Sequence, residues 1–574
     1  MKNSITMFKN LFDADSVMVP LISLKDHKPQ FKEGRVTAPL ERSTPEAQGV
    51  GSDVILNYLK ELKEEKSINM HNILILKNGK IISETAFGNS DLSVWKMTFS
   101  ACKSVVSLAI GMLVDEGKLD INAPICDFFP EYANPVYKIK LHDITVKTLL
   151  TMTTGSSFNE FLCMSTNAWE QAFFKSAFSL KPGCTFNYNS LNTYMLSAII
   201  KKVSGQTLTE YLKPRLFEPL EITNYYFEKS NSDTEKGGWG LYIIPEDFAK
   251  IGQLVLNKGL WNAKRIISEE WINEATSIQI ATPKQFGKYD YGYHFWSGRQ
   301  TNSFLFNGMF GQNILGYKDS GILIVTNAGN DELFQQSKFF EITDKYFSGK
   351  FQKALPKNNV ANRSLLKYSA HLSNGNVKKT FFYYLFPYRK YNLYIKNFEL
   401  LNKELIASSK NAASVGLLPK LLQIIQNNYS KGLLSVSFYS KGKRLFLKYC
   451  ETDAQFAIPL GIGEFIRGEI DYHGEKYLIS SKIEGNSDII TIYIDFIETF
   501  SSRQIIICKQ DGAYKLLQKE SPGMLLIRES VALFKNSISK NRIIEAAVNK
   551  INDDFLIYKC EQIFEPLIEL SDKK

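Results

Sequence analysis

Ser52-Asp53 can cap a helix, and behind them Val54, Ile55, Tyr58, Leu59 and Leu62 recur at helical spacing. A helix is predicted from there to about residue 66. Apolar residues 73–76 and 81–82 then flank Asn78-Gly79, a favoured two-residue turn, so a β-hairpin follows. From residue 98 to 118, Val105, Val106, Leu108, Ala109, Met112 and Leu113 are apolar over several turns, the pattern of a buried core helix. Further helices are predicted over 144–152, stopping at Thr154-Gly155, over 191–203, stopping at Ser204-Gly205, and over 245–257, with Pro245 in the first turn. Strands are predicted over 291–296, over 303–315 with glycine interruptions, and over 322–325, before a closing helix over 332–347.

Beyond residue 350 the rhythm changes. A helix over 418–427 precedes short strands at 434–439, 444–449, 466–472, 477–483, 489–496 and 504–509. Asn486 and Asp511-Gly512 supply turn chemistry. This reads as a β-meander of the sandwich or small-barrel kind, with a partly helical tail over 526–569. The expected fold class is α+β: an antiparallel sheet flanked by helices, with a helical insertion, followed by a β-rich C-terminal accessory domain. The division is 1–44 as an irregular N-terminal extension carrying Pro20, Pro29 and Pro39, 45–350 as the first domain, and 351–574 as the second.

Charge sharpens that boundary. The net +10 lies entirely in residues 351–574, which hold 32 Lys+Arg against 22 Asp+Glu, while the first 350 residues balance. All six tryptophans precede residue 300. At 574 residues and 44% hydrophobic content the chain is globular and too long for one core. The seven cysteines are scattered and form no C-x-x-C pair, which suits reduced thiols and a cytoplasmic location. The N-terminus shows no signal-peptide pattern, and no apolar run reaches the length of a membrane span. The histidines show no zinc spacing, and there is no Gly-x-Ser-x-Gly elbow, P-loop or dinucleotide fingerprint. No metal and no cofactor are therefore expected. Residues 351–450 hold 17 Lys+Arg against Glu399 and Glu404, interleaved with Phe381, Phe382, Tyr383 and Tyr384. Because residues 451–500 are acidic and no nucleic-acid signature appears, these are read as outward basic faces, and no nucleic-acid partner is expected.

Candidate chemistry centres on Ser100-Ala101-Cys102-Lys103. Residues three apart share a helix face, a serine at a helix start lies in the positive end of the dipole, and a desolvated lysine can deprotonate it. Ser-x-x-Lys also occurs from Ser93, Ser364, Ser440, Ser537 and Ser571, but only the Ser100 copy opens a long apolar helix.

Further motifs follow in order. Residues 119–124 read Leu-Asp-Ile-Asn-Ala-Pro, and Ile144-Thr145-Val146 leads to Leu149-Leu150-Thr151-Met152-Thr153-Thr154-Gly155. Then come Pro182-Gly183 with Phe186-Asn187-Tyr188-Asn189-Ser190, next Gly238-Trp239-Gly240-Leu241, and last Gly308-Met309-Phe310-Gly311-Gln312. Over roughly residues 45–350 this series resembles the penicillin-recognising serine hydrolases, which include class C β-lactamases, DD-peptidases and 6-aminohexanoate-dimer hydrolases. The resemblance implies a beta-lactamase/transpeptidase-like fold and an acyl-enzyme on Ser100. It implies Lys103 as base, Tyr188 as proton relay, and the backbone N–H groups of Ser100 and Met309 as oxyanion hole. Ser190, Gly308 and Gln312 would meet substrate, with Gly308 letting it approach the strand edge. The position two before Gly308, cationic or imidazole in the family, is Phe306, so the anchor for a substrate carboxylate is missing. The implied partner is a small amide or ester. The alternatives are a non-catalytic binding protein that keeps the fold, or a DD-peptidase or β-lactamase.

Overall fold

The computed structural model describes residues 22, 27–32, 36–132, 134–163, 166–374, 389–408, 412–413, 415–486, 488–510, 512–523, 558 and 561–572. They form two compact units, one running from residue 32 to the end of a helix at 374, the other holding residues 22, 27–31 and those from 389 onward.

In the first unit α1 (Ser52–Glu64) precedes the hairpin β1 (Met70–Lys77) and β2 (Lys80–Ala86). Next come α2 (Lys103–Asp115), α3 (Ser190–Ser204) and α4 (Pro245–Leu256). The remaining strands are β3 (Tyr289–Tyr291), β4 (Trp296–Gly298), β5 (Ser303–Gly308), β6 (Gln312–Tyr317) and β7 (Ile322–Ala328), followed by α5 (Phe339–Phe347) and α6 (Asn359–Asn374). They build one antiparallel sheet of order β2-β1-β7-β6-β5-β4-β3. The early hairpin thus joins a strand some 250 residues later, with Leu74 opposite Val325 and Ile75 opposite Ile324.

Strand periodicity sends alternate side chains to two different cores. Leu74, Leu76, Phe304, Phe306, Leu323 and Val325 pack with residues of α2, α3 and α4. Ile73, Ile75, Leu305, Leu315, Ile322 and Ile324 pack with α1 and α5. Because both faces are covered, the central strands read as continuous apolar runs instead of an alternation. Helix α2 is buried from Lys103 to Leu113. Each fully buried Val or Leu there contributes about 1.5–3 kcal/mol of transfer free energy. Lys96–Met97 pairs with Leu241–Ile243, and Thr98 donates from both its N–H and its hydroxyl to the Leu241 carbonyl, at 2.9 and 3.0 Å. That anchor fixes the turn entering α2.

Some boundaries differ from expectation. The predicted strand over 291–296 is broken, because His294 turns back with φ 60° between β3 and β4. The single interrupted strand over 303–315 is a hairpin, β5–β6, registered by Phe306 opposite Ile314. The closing helix begins at Phe339, since Glu332 is buried and accepts hydrogen bonds from Asn330 and Ser337 instead of starting a helix. Helix α6 lies past residue 350 yet belongs to this unit.

The second unit is the β-rich one. Its elements are β8 (Glu404–Ala407), α7 (Lys420–Gln426), β9 (Leu433–Lys441), β10 (Arg444–Glu451), β11 (Gln455–Ile462), β12 (Ile466–Tyr472), β13 (Glu475–Gly485), β14 (Ile489–Phe496), β15 (Ser502–Gln510), β16 (Ala513–Ser521) and β17 (Leu567–Asp572). The ten strands run in the order β11-β10-β9-β8-β17-β16-β15-β14-β13-β12. A short parallel contact of Gly461-Ile462 with Lys482-Ile483 joins β11 to β13, so nine strands close into a barrel and β12 hangs on β13. The interior is aliphatic, with Leu445, Leu447, Ile492, Ile494, Ile505 and Leu516 all buried, but it also holds a buried ion pair. Arg503 donates to Glu520 at 2.9 Å and to the Leu418 carbonyl at 2.7 Å, while Glu520 accepts the Lys420 N–H that opens α7. Most of the predicted basic-aromatic stretch over 378–398 and of the helical tail over 526–569 lies outside the described residues. No helix among the described residues is long and apolar enough to cross a membrane.

Candidate active site

The chain enters α2 through a tight 3-10 turn, Phe99–Cys102. Ser100 is partly exposed while Phe99, Ala101, Cys102 and Lys103 around it are buried. One turn separates Ser100 from Lys103, and the side chains meet: Lys103 Nζ lies 2.7 Å from Ser100 Oγ. Nζ also lies 3.0 Å from Ser190 Oγ and 2.6 Å from the Gly238 carbonyl oxygen. Burial lowers the Lys103 pKa to about 8. The neutral amine keeps two protons. With these held by Ser190 and Gly238, the lone pair faces Ser100, the arrangement a base needs.

Tyr188 stands on the other side. Its ring lies 4.9 Å from Lys103 Nζ. Burial pushes its phenol well above the ordinary range, so it is a proton donor or relay and not a resident phenolate. Aromatic rings hold it: Phe334 edge-on at 5.0 Å, Trp296 stacked at 6.2 Å, and Phe286 and Phe186 beyond.

The local sequence explains how Tyr188 and Ser190 reach the same lysine. Asn189 caps α3, its side chain accepting from the Leu191 N–H at 2.9 Å and donating to the Phe158 carbonyl at 2.7 Å. Ser190 becomes the first helical residue and turns its hydroxyl to Lys103. Ser190, expected against substrate, is thus bonded to the lysine. Gly238 lies close for a steric reason, because a Cβ there would come 2.7 Å from the Ser190 carbonyl oxygen.

Gly308 ends β5 beside the Ser100 turn. A Cβ on it would sit 2.3 Å from the Thr98 carbonyl oxygen and 3.2 Å from the Ala101 N. Glycine is required here by the close approach of strand to turn within the protein, a different reason from room for substrate. Met309 follows, half-exposed, opening the 3-10 turn Met309–Gly311. Phe310 has φ 66° and packs its ring edge-on against that of Phe99, which has φ 47°, at 5.1 Å. The two strained residues flank the Ser100 and Met309 amides and tie one turn to the other. The amide of Gln312 is consumed within the sheet, donating to the Ala328 carbonyl at 2.6 Å and accepting from Asn327 at 3.1 Å. Phe306 is fully buried, packed on Phe295 at 5.0 Å and Phe248 at 5.8 Å.

Two further residues join the site without a sequence signal. Glu160 opens a short helix, Glu160–Cys163, and accepts the Ser190 N–H at 2.7 Å; its charge acts on both Lys103 and Tyr188. His294 is buried behind α2, its carbonyl accepting from Ser104 at 2.7 Å and its ring facing Thr193 at 3.0 Å. Burial and the nearby lysine hold it neutral. Cys102 donates its S–H to the Gly237 carbonyl at 2.9 Å, away from Ser100. Among the described residues one trio could approach a cation, Glu451, Asp453 and His473 in the barrel unit. Both Glu451 oxygens there already accept from Leu417, Ser430 and Tyr472.

Residues 57–337 match the Beta-lactamase family model. Protein flp of Staphylococcus aureus (strain COL) is 28% identical over 237 residues, covering 38% of this chain and 46% of that protein. The chain spans about half the length of the curated relatives it matches. Among solved structures, FmtA of Staphylococcus aureus covers 57% of this chain and 97% of its own at 17% identity and a TM-score of 0.42. A penicillin binding protein of Bacillus halodurans covers 50% and 98%, at 17% identity and a TM-score of 0.40.

Proposed function

We propose that this chain, whose residues 57–337 match the Beta-lactamase family model, is a serine hydrolase that cleaves a small ester or amide through an acyl-enzyme on Ser100. The observation that carries the reading is the 2.7 Å contact between a half-exposed serine and a buried lysine with a near-neutral pKa. Lys103 takes the Ser100 proton as Oγ attacks the carbonyl carbon. The backbone amides of Ser100 and Met309 receive the developing oxyanion. Tyr188 passes a proton to the leaving alcohol or amine, the C–O or C–N bond breaks, and the acyl group stays on Oγ. Water, deprotonated through the same pair, then releases the acid. Substrates without a carboxylate beside the scissile bond fit best, because Phe306 offers no cation to hold one.

A fluorophosphonate probe tests this directly. Intact mass and peptide mapping should show one adduct, on Ser100, which the Ser100→Ala variant loses. A folded wild-type chain that takes no adduct on Ser100 overturns the reading.

A further inference from the structure

We propose that Glu160 selects substrates that carry a positive charge near the scissile bond, so that the hydrolysed molecule is an ester or amide bearing an ammonium group. This rests on the serine-hydrolase reading above and adds the substrate's charge to it. Oε1 of Glu160 is held by the Ser190 N–H at 2.7 Å, and Ser190 Oγ in turn lies 3.0 Å from Lys103 Nζ. The carboxylate is therefore fixed two contacts from the base. Among the described residues its second oxygen, Oε2, accepts no hydrogen bond, and the side chain is half-exposed. One oxygen is spent on the protein and one is left for a ligand.

The site's charge state gives the sign. When Lys103 acts as base it is neutral. Tyr188 is a phenol, His294 is neutral and Cys102 is a buried thiol. Among the groups that act on Lys103 and Tyr188, Glu160 is then the one that carries a formal charge. An anionic substrate meets repulsion in a weakly screened setting, and a cationic one meets attraction. Aromatic faces add to this, because the rings of Tyr188 and half-exposed Phe334 border the same site and ring faces attract ammonium groups. The position that would favour an anion, Phe306, is closed inside an aromatic core.

The test uses the full chain and p-nitrophenyl esters of equal acyl length ending in trimethylammonium, methyl or carboxylate. A second set carries the same charges on the leaving group. Assays at low salt and pH 9 keep Lys103 neutral and the quaternary ammonium charged. The readout is the ratio of kcat/KM between cationic and anionic partners, which cancels general losses in a variant. Wild type should favour the cationic ester by about tenfold or more over the anionic one in at least one set. Glu160→Gln keeps an acceptor for the Ser190 N–H, and should bring the ratio toward one. Glu160→Lys should reverse it. Equal ratios in wild type and Glu160→Gln overturn the inference while leaving the hydrolase reading intact. If Ser100 takes no fluorophosphonate adduct, the hydrolase reading falls and takes this inference with it.

Discussion

The most exposed consequence of the geometry concerns pH. An ordinary lysine at 10.5 is about 0.03% neutral at pH 7, whereas one at about 8 is about 9% neutral, a gain of roughly 300-fold in the basic form. If the neutral amine is the base, kcat/KM for an uncharged p-nitrophenyl ester should climb tenfold per pH unit below about 8 and level off above it. Ser190→Ala tests the assignment. The Lys103–Ser190 contact is a hydrogen bond in both charge states, but a charged donor gains about 1 kcal/mol more from it than a neutral one. Removing the acceptor therefore penalises the ammonium, and the ascending limb should move toward acid by about 0.7 pH unit. Lys103→Arg keeps a positive charge that cannot be lost, so the limb should vanish together with about 10²–10⁴ of the rate. Stopped-flow or plate-reader release of p-nitrophenolate, corrected for its own ionisation, measures all three. A flat wild-type profile from pH 6 to 9, or a rate that falls as pH rises through 8, would refute Lys103 as the base.

Other outcomes are equally specific. Gly308→Ala places a methyl 2.3 Å from the Thr98 carbonyl, so it should cut kcat by about 10² by displacing the Ser100 turn; unchanged kcat would show that the turn yields freely. Tyr188→Phe retains the aromatic packing but loses the hydroxyl, and burst kinetics should show the larger deficit with amide substrates, whose leaving group needs the proton; equal deficits on esters and amides would count against the relay. In the barrel, Arg503→Met leaves Glu520 buried without its guanidinium and should cost about 3–5 kcal/mol by denaturant unfolding. The double variant Arg503→Met/Glu520→Gln should recover a substantial part of that loss, and strict additivity would show that the pair is not coupled.

Much of the first unit was legible because burial leaves a mark on composition. Helix α2 is buried from Lys103 to Leu113, and its sequence has the apolar run such a position demands. The Ser100–Lys103 contact was legible for the same reason, since three-residue spacing at a helix start guarantees proximity. Tyr188 and Ser190 carried no such guarantee. They lie some 85 residues away, and what delivers them is the capped start of α3, which only the ordered series of motifs pointed to. Glu160 was invisible, because a lone acid opening a one-turn helix has no spacing to betray it. The backbone of Phe99, Phe310 and His294 is not legible in the sequence, because positive φ at a bulky residue is imposed by tertiary packing and leaves no trace in propensity. In the barrel, β11 has no clear strand signal because Pro459 and Gly461 look like breakers. Pro459 is tolerated because the ladder to β13 begins only at Gly461.

The position of β17 in the barrel sets a schedule for synthesis. Leu567–Asp572 is inserted between Glu404–Ala407 and Ala513–Ser521, strands that a ribosome delivers earlier. Until residue 572 has emerged, the ring is an open sheet with two unsatisfied rims, each able to recruit a strand from a neighbouring nascent chain. Premature stops between residues 521 and 567 should therefore yield chains prone to clump, although they retain every residue of the first unit.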